Sequence, residues 1–306
     1  MPKPRALKPG DRVELVTPAS PIQAEQITKA QALLEGAGYR VTLAPHALER
    51  NFFLAGSDRD RAADLQSAFL NPEIAAVFCN RGGYGCARLF PFLDLDAMAN
   101  SGKMFVGFSD ITTLALALNR RGLPTLHGPM SLTLNWDRAD WVYESFLSAM
   151  RGELLIPEAA PKAQTMVGGA AEGISTGGCL CLLCDSLQTP EALETEGKIL
   201  FIEDVDEAPH RVDAMLTHLR NAGLLQRAAG IVFGEMTRTD EKADESIGNH
   251  SWVEIVKERV SDLAIPTVIN FPFGHCPAMA TIGLGIKVRL DADAGTVEFL
   301  EPFCAS

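Results

Sequence analysis

The first 130 residues alternate short, continuously apolar runs with longer amphipathic ones. Residues 13–18, "VELVTP", read as a buried strand, and residues 22–37 as a helix that ends at Gly38. "YRVTLAP" (39–45) is a second strand. Residues 57–70 form a helix with Ser57 as N-cap and Leu65, Phe69 and Leu70 on one face. "IAAVFCN" (74–80) and "KMFVGF" (103–108) complete the strands of this half. Strands that alternate with helices predict βαβ units and a parallel sheet, and unbroken apolar strands predict a sheet covered on both faces.

Periodicity fades over 151–178, a stretch with two prolines and six glycines. It reads as a linker between a domain at 1–150 and a second at 179–306. The second half predicts a helix at 178–188 ("GCLCLLCDSLQ"), a strand at 198–203 ("KILFIE") and a helix at 210–223. A strand at 230–235, a helix at 251–263, a strand at 266–271 and a closing β-hairpin at 281–301 that turns at "DADAG" follow. The expected fold is therefore α/β: an N-terminal parallel-sheet α/β domain, then a second, more β-rich α/β domain, with the active site between them.

Composition narrows the function. Twenty-seven Lys and Arg against 39 Asp and Glu give a net charge of −12, which argues against broad electrostatic capture of nucleic acid. No apolar run is long enough to span a bilayer, and no apolar h-region precedes Gly10, so a cytoplasmic protein is expected. Seven cysteines, mostly in apolar runs, predict reduced, buried thiols. Cys179, Cys181 and Cys184 form a C-x-C-x-x-C cluster that reads as core packing on a helix, so no metal site is expected.

Four features carry chemistry. In "MFVGFSDITTL" (104–114) a single hydroxyl, Ser109, separates a strand from a helix. Gly107-Phe-Ser-Asp110 matches most of the strand–turn–helix elbow that exposes a nucleophile, with Ile111 where the pattern has glycine. The competing reading is a helix cap. Asn80-Arg-Gly-Gly-Tyr-Gly85 follows a strand, and its glycines let backbone N–H groups approach a ligand; Gly83 is a candidate oxyanion donor beside Asp110. Among six histidines, His275 in "NFPFGHCPAMAT" and His127 in "LHGPM" each follow an apolar strand, while His210 and His218 sit on an amphipathic helix. Strand 198–203 ends in Glu203, with Asp204, Asp206 and Glu207 close behind. Ser, Glu and His at strand ends, in that order, suit nucleophile, orienting acid and base. Arg81, beside the glycine loop, is a candidate to bind a substrate carboxylate. Cys276 raises a cysteine-hydrolase reading, but neighbours such as His275 and Cys276 rarely point at one another.

Together, "GDRVELVTPAS", "NRGGYGCARLF", "FVGFSDITTL", "HGPM", "ILFIEDVDEAPHRVDAMLTHL" and "FPFGHCPAMATIGLGIKVRL" resemble the LD-carboxypeptidases of peptidase family S66, over about residues 9–300. The resemblance implies cleavage of the amide between a diamino acid's L-centre and a terminal D-alanine in cytoplasmic muropeptides, during cell-wall recycling. It implies Ser109 of the G-[FY]-S-D motif as nucleophile, Glu203 as the residue that orients the base, and His275 of the P-x-G-H motif as general base. It implies an oxyanion hole of backbone amides, placed here on Gly83 and Asp110, a homodimer, and no metal or organic cofactor. The chain departs from the family where Gly177-Gly-Cys-Leu-Cys181 stands for the usual "GGNLS", and in the acidic insert "TRTDEKADESIGNHS" (237–251). Glu207 is the alternative to Glu203. Two rival functions follow. One is a microcin C-type self-immunity hydrolase of aminoacyl- or peptidyl-adenylate analogues, which needs an aromatic surface such as the insert around Trp252. The other is a two-domain small-molecule binding protein without catalysis.

Overall fold

The computed structural model describes residues 3–244, 246, 248 and 250–305, so Glu245, Ile247 and Asn249 of the acidic insert lie outside the described residues. Thirteen strands are described: β1 Arg12–Val16, β2 Arg40–Leu43, β3 Ile74–Cys79, β4 Met104–Val106, β5 Thr125–His127, β6 Gln164–Val167, β7 Ala170–Cys179, β8 Ile199–Val205, β9 Gly230–Thr237, β10 Thr267–Ile269, β11 Ile282–Leu284, β12 Lys287–Asp291 and β13 Thr296–Phe299. The α-helices are α1 Thr28–Gly36, α2 Asp58–Leu70, α3 Leu95–Asn100, α4 Thr112–Arg120, α5 Asp140–Met150, α6 Leu180–Asp185, α7 Pro209–Asn221, α8 Leu224–Arg227 and α9 Trp252–Val260. No helix among the described residues is long and apolar enough to cross a membrane.

The chain divides into two compact units. The first holds the residues up to Pro157, Ala280–Gly285 and the tail from Pro302; the second holds Glu158–Met279 and Ile286–Glu301. In the first, the sheet order is β11-β5-β4-β3-β1-β2, parallel throughout except for β11 against β5. All six residues of β3 are buried, as expected for a strand covered on both faces. Phe78 meets Phe146 of α5 with centroids 5.6 Å apart, and Phe69 of α2 meets Phe105 at 5.4 Å. Ser57 caps α2 by accepting the Asp60 N–H at 3.1 Å, and Asp58 and Asp60 complement the helix dipole. The strand order reverses between β1 and β3. Loops that leave the carboxyl ends of strands at such a reversal form a crevice suited to ligands.

In the second unit the order is β13-β12-β7-β8-β9-β10-β6. Strands β7 to β10 run parallel, whereas β6, β12 and β13 pair antiparallel with their neighbours. Three expectations are corrected here: the linker with its domain limits, the closing hairpin and the helix at 178–188. Residues 151–178 are not a plain linker, because they contain β6 and most of β7. The glycines of β7 serve close strand packing: a Cβ on Gly177 would lie 2.9 Å from Phe201 N of β8. The units accordingly do not divide at 150 and 178. The closing hairpin is β12–β13 alone, since β11 pairs with β5 in the other sheet. The helix expected at 178–188 spans only Leu180–Asp185, because Cys179 still belongs to β7.

Candidate active site

In the first unit, the elbow after β4 is built around small clearances. The Gly107 N–H donates to Leu126 O at 3.0 Å, and a Cβ on Gly107 would sit 2.8 Å from Ile111 Cγ2. Ser109 has φ +64°, in the left-handed region that costs a non-glycine residue about 1–2 kcal/mol. A single 3-10 turn, Ser109–Ile111, then leads into α4. Ser109 is half-buried, while Asp110 is buried and its carboxylate accepts the Cys86 N–H at 2.9 Å. That bond ties the turn to the end of the glycine loop.

The loop 80–85 lies directly over the hydroxyl. A Cβ on Gly82 would be 2.8 Å from Ser109 Cβ, 2.9 Å from its Oγ and 3.1 Å from the Asp110 N. Only glycine permits this approach. Gly83, at φ +108°, presses on Ser20, whose N–H donates to Gly82 O at 3.3 Å and whose Oγ accepts the Tyr84 N–H at 3.2 Å. The loop from β1 therefore supports the loop from β3, across the strand-order reversal.

Two residues that the sequence reading gave no role fix this loop. Asn80 is fully buried; its N–H donates to Val16 O at 2.8 Å, its amide donates to Thr17 Oγ1 at 2.9 Å, and it accepts from Ser131 Oγ at 2.6 Å. Its place as the polar residue closing an apolar strand was the available signal. Arg61, 2% exposed, donates to Gly85 O at 3.1 Å and to Pro18 O, and pairs with Asp58. Nothing local marks that role. Arg81 is half-buried, donates to Pro21 O at 2.9 Å and lines a cleft of about 850 Å³ with Pro21, Ile22, Gln23, Leu48 and Arg50.

In the second unit, Glu203 is completely buried on β8, two residues before the strand ends. The β8–β9 register shifts between Ile202 and Asp204, a bulge of the kind that re-aims side chains. His275 follows β10, and both its backbone N–H (3.1 Å) and its Nδ1 (2.6 Å) meet Glu203 Oε2. Gly274, at φ +95°, makes this possible, because a Cβ there would stand 2.6 Å from Glu203 Cδ. With Nδ1–H donated to the carboxylate, the neutral ring carries its basic lone pair on Nε2. Burial pulls the His275 pKa down, but the charge and hydrogen bond of Glu203 and the charge of Asp204 outweigh it, and the pKa lies above its ordinary value.

The neighbouring groups serve other partners. Asp204 accepts the N–H groups of Cys181 (2.9 Å) and Val205 (2.7 Å); burial, then the charge of Glu203, lifts its pKa to about 6. Glu207 faces Arg211 at 3.8 Å. His127 ends β5 and packs on Phe108 at 5.5 Å, whereas His210 and His218 are exposed on α7. Cys276 Sγ turns to the Ala278 O at 3.2 Å. Trp252, expected to offer an aromatic surface, is 6% exposed and opens α9 from within the core. Of the candidate site residues, the first unit thus holds Ser109, Asp110, Gly83 and Arg81, and the second pairs Glu203 with His275.

Residues 13–128 match the family model for the LD-carboxypeptidase N-terminal domain, and residues 172–290 match that for the LD-carboxypeptidase C-terminal domain. The chain belongs to the LD-carboxypeptidase family. The glycine loop and Ser109 fall in the first matched segment, Glu203 and His275 in the second. Among relatives, a putative carboxypeptidase of Streptomyces coelicolor is 37% identical over 99% of this chain and 98% of its own. A probable murein peptide carboxypeptidase of Bacillus subtilis is 34% identical, covering 94% and 91%. The crystal structure of the muramoyltetrapeptide carboxypeptidase from Oxalobacter formigenes superposes with a TM-score of 0.81 at 28% identity, over 94% of this LD-carboxypeptidase family member and 97% of that chain. The microcin C7 self immunity protein MccF shares the fold, with a TM-score of 0.89 at 22% identity over the whole of both chains.

Proposed function

We propose that the protein is a serine-type LD-carboxypeptidase that releases the terminal D-alanine of murein tetrapeptides in the cytoplasm. The observation that carries this reading is the His275–Glu203 pair, in which a half-buried imidazole has its orientation and tautomer set by a buried carboxylate. The left-handed Ser109 under the glycine loop supports it, as do the relatives that process murein peptides.

The reaction requires His275 Nε2 to reach the Ser109 hydroxyl. His275 takes the proton as Ser109 Oγ attacks the scissile carbonyl. The oxyanion accepts hydrogen bonds from the Gly83 and Asp110 amides, each such donor contributing about 3 kcal/mol in serine hydrolases. His275 then protonates the leaving amine, D-alanine departs, and water, activated by the same imidazole, frees the acyl-enzyme. Glu203 stabilises the imidazolium at each step without itself taking the proton. Arg81, whose Nε is buried with no hydrogen-bond partner among the described residues, anchors the substrate's terminal carboxylate.

The test is mass spectrometry of a defined tetrapeptide stem incubated with the wild type and with Ser109→Ala. The expected result is loss of one D-alanine with the wild type only. An aminoacyl sulfamoyl-adenylate tested alongside measures the microcin-immunity reading. Turnover of that compound with an intact tetrapeptide would refute the proposed substrate. Undiminished tetrapeptide cleavage by Ser109→Ala would refute the nucleophile.

A further inference from the structure

The cysteines at the β7–α6 junction were expected to be core packing, yet two of them converge on a carboxylate. Cys179 closes β7 and is paired in register with Glu203, Cys181 lies in the first turn of α6, and Asp204 follows Glu203 on β8. The sulfurs are 3.5 Å apart, Cys179 Sγ lies 3.5 Å from Asp204 Oδ1, and Cys181 Sγ lies 4.0 Å from the same oxygen. A tetrahedral zinc ion with bonds of about 2.3 Å to sulfur and about 2.0 Å to oxygen separates two sulfurs by about 3.8 Å and sulfur from oxygen by about 3.5 Å. The three observed edges agree with one face of that tetrahedron to within about half an ångström.

The surroundings fit a cation as well. Asp204 is 1% exposed and its carboxylate is aimed by the Cys181 and Val205 N–H groups. Among the described residues no lysine or arginine pairs with it, although a second buried carboxylate, Glu203, is next in sequence. A buried anion in such a place calls for a positive partner. Cys181 is only half-buried, which leaves an approach from solvent. Cys184 turns away, its Sγ lying 3.4 Å from Met215 O.

We infer that Cys179, Cys181 and Asp204 form a binding site for one thiophilic divalent cation of the zinc class. Binding releases the two thiol protons to solvent as two metal–sulfur bonds and one metal–oxygen bond form, so the dithiol–carboxylate and a 2+ ion become a singly negative complex. No oxidant is involved, and the inference does not rest on the reaction proposed for Ser109.

The test uses the full chain, reduced with a phosphine and stripped with a chelator that is then removed. Cadmium is titrated while the ultraviolet thiolate-to-cadmium charge-transfer band is followed. The expected result is saturation at one equivalent, displacement by zinc, and a loss of at least about tenfold in affinity in Cys181→Ser. Cys184→Ser and Cys276→Ser keep the band. Circular dichroism of Cys181→Ser and of Cys181→Ala verifies that each folds. No band at stoichiometric cadmium, a band unchanged in both Cys181 variants, or a band lost in Cys184→Ser would overturn the assignment.

Discussion

Replacing Glu203 by glutamine separates the charge of the orienting residue from its shape. Glu203 Oε2 accepts two hydrogens from one residue, the His275 backbone N–H at 3.1 Å and Nδ1–H at 2.6 Å. The backbone N–H can only donate, so the amide oxygen, not its NH₂, must occupy that position in Glu203→Gln. The Nδ1–H tautomer is then retained. Orienting residues whose loss traps the wrong tautomer cost about 10⁴-fold in rate; this variant escapes that penalty. What it loses is the attraction between carboxylate and imidazolium, about 4 kcal/mol for unit charges 4 Å apart at an effective dielectric near 20, taken as a ceiling. The expected loss in kcat/KM is therefore about 10²–10³-fold. The pH profile gives a second reading. Glu203 is a principal cause of the raised His275 pKa, and the proposed reaction needs the neutral ring, so kcat/KM should rise as pH passes through that pKa. Without the carboxylate, burial dominates and the acidic limb moves to lower pH. D-Alanine release measured from pH 5 to pH 9, values of roughly the range in which histidine titrates, checks both. A limb that stays in place or moves upward, or a variant of full activity, would refute the reasoning.

Three further outcomes follow from the geometry. Gly274→Ala puts a Cβ at 2.6 Å from Glu203 Cδ in a left-handed backbone, so a stability loss of more than about 1–2 kcal/mol in urea denaturation and at least a tenfold loss of kcat, on the order of a displaced general base, are expected. Arg81→Ala should raise KM for the tetrapeptide about 10- to 100-fold, the value of a charged hydrogen bond, with little change in kcat; an unchanged KM would remove Arg81 from the substrate. Asp204, lifted to about 6, holds its proton more tightly folded than unfolded. The stability this gives is complete below an unfolded pKa of about 4 and is lost as pH rises through about 6, at most about 3 kcal/mol in all. Urea denaturation in chelator between these limits should show that decline in the wild type and not in Asp204→Asn.

Much of this was legible before any coordinates. The inner strands of the first unit announce themselves because β3 and β4 are apolar along their length, as a doubly covered sheet requires. Ser109 and His275 were visible for the same reason, since each follows such a run, and Glu203 because it interrupts one. Glycine hid the rest. In β7 the residues that let the strand lie against β8 are those that erase side-chain alternation, so Gly173 and Gly177 read as linker. Tertiary partnerships were equally silent: Arg61 reaches Gly85 over 24 positions, and Asn80 meets Ser131 over 51. The pairing of β11 with β5 joins Ile282 to His127 and Leu284 to Thr125, far apart along the chain, and no local pattern encodes it.

That last pairing has a consequence for biogenesis. The first sheet borrows its border strand from Ile282–Leu284, and the same unit takes up the tail from Pro302. While the ribosome has delivered only the amino-terminal half, the rim of β5 has no strand beside it. A nascent fragment stopped near Pro157 would carry an open β-edge prone to sticking to other chains. Maturation of the first unit must wait until Ile282–Leu284 have been synthesised.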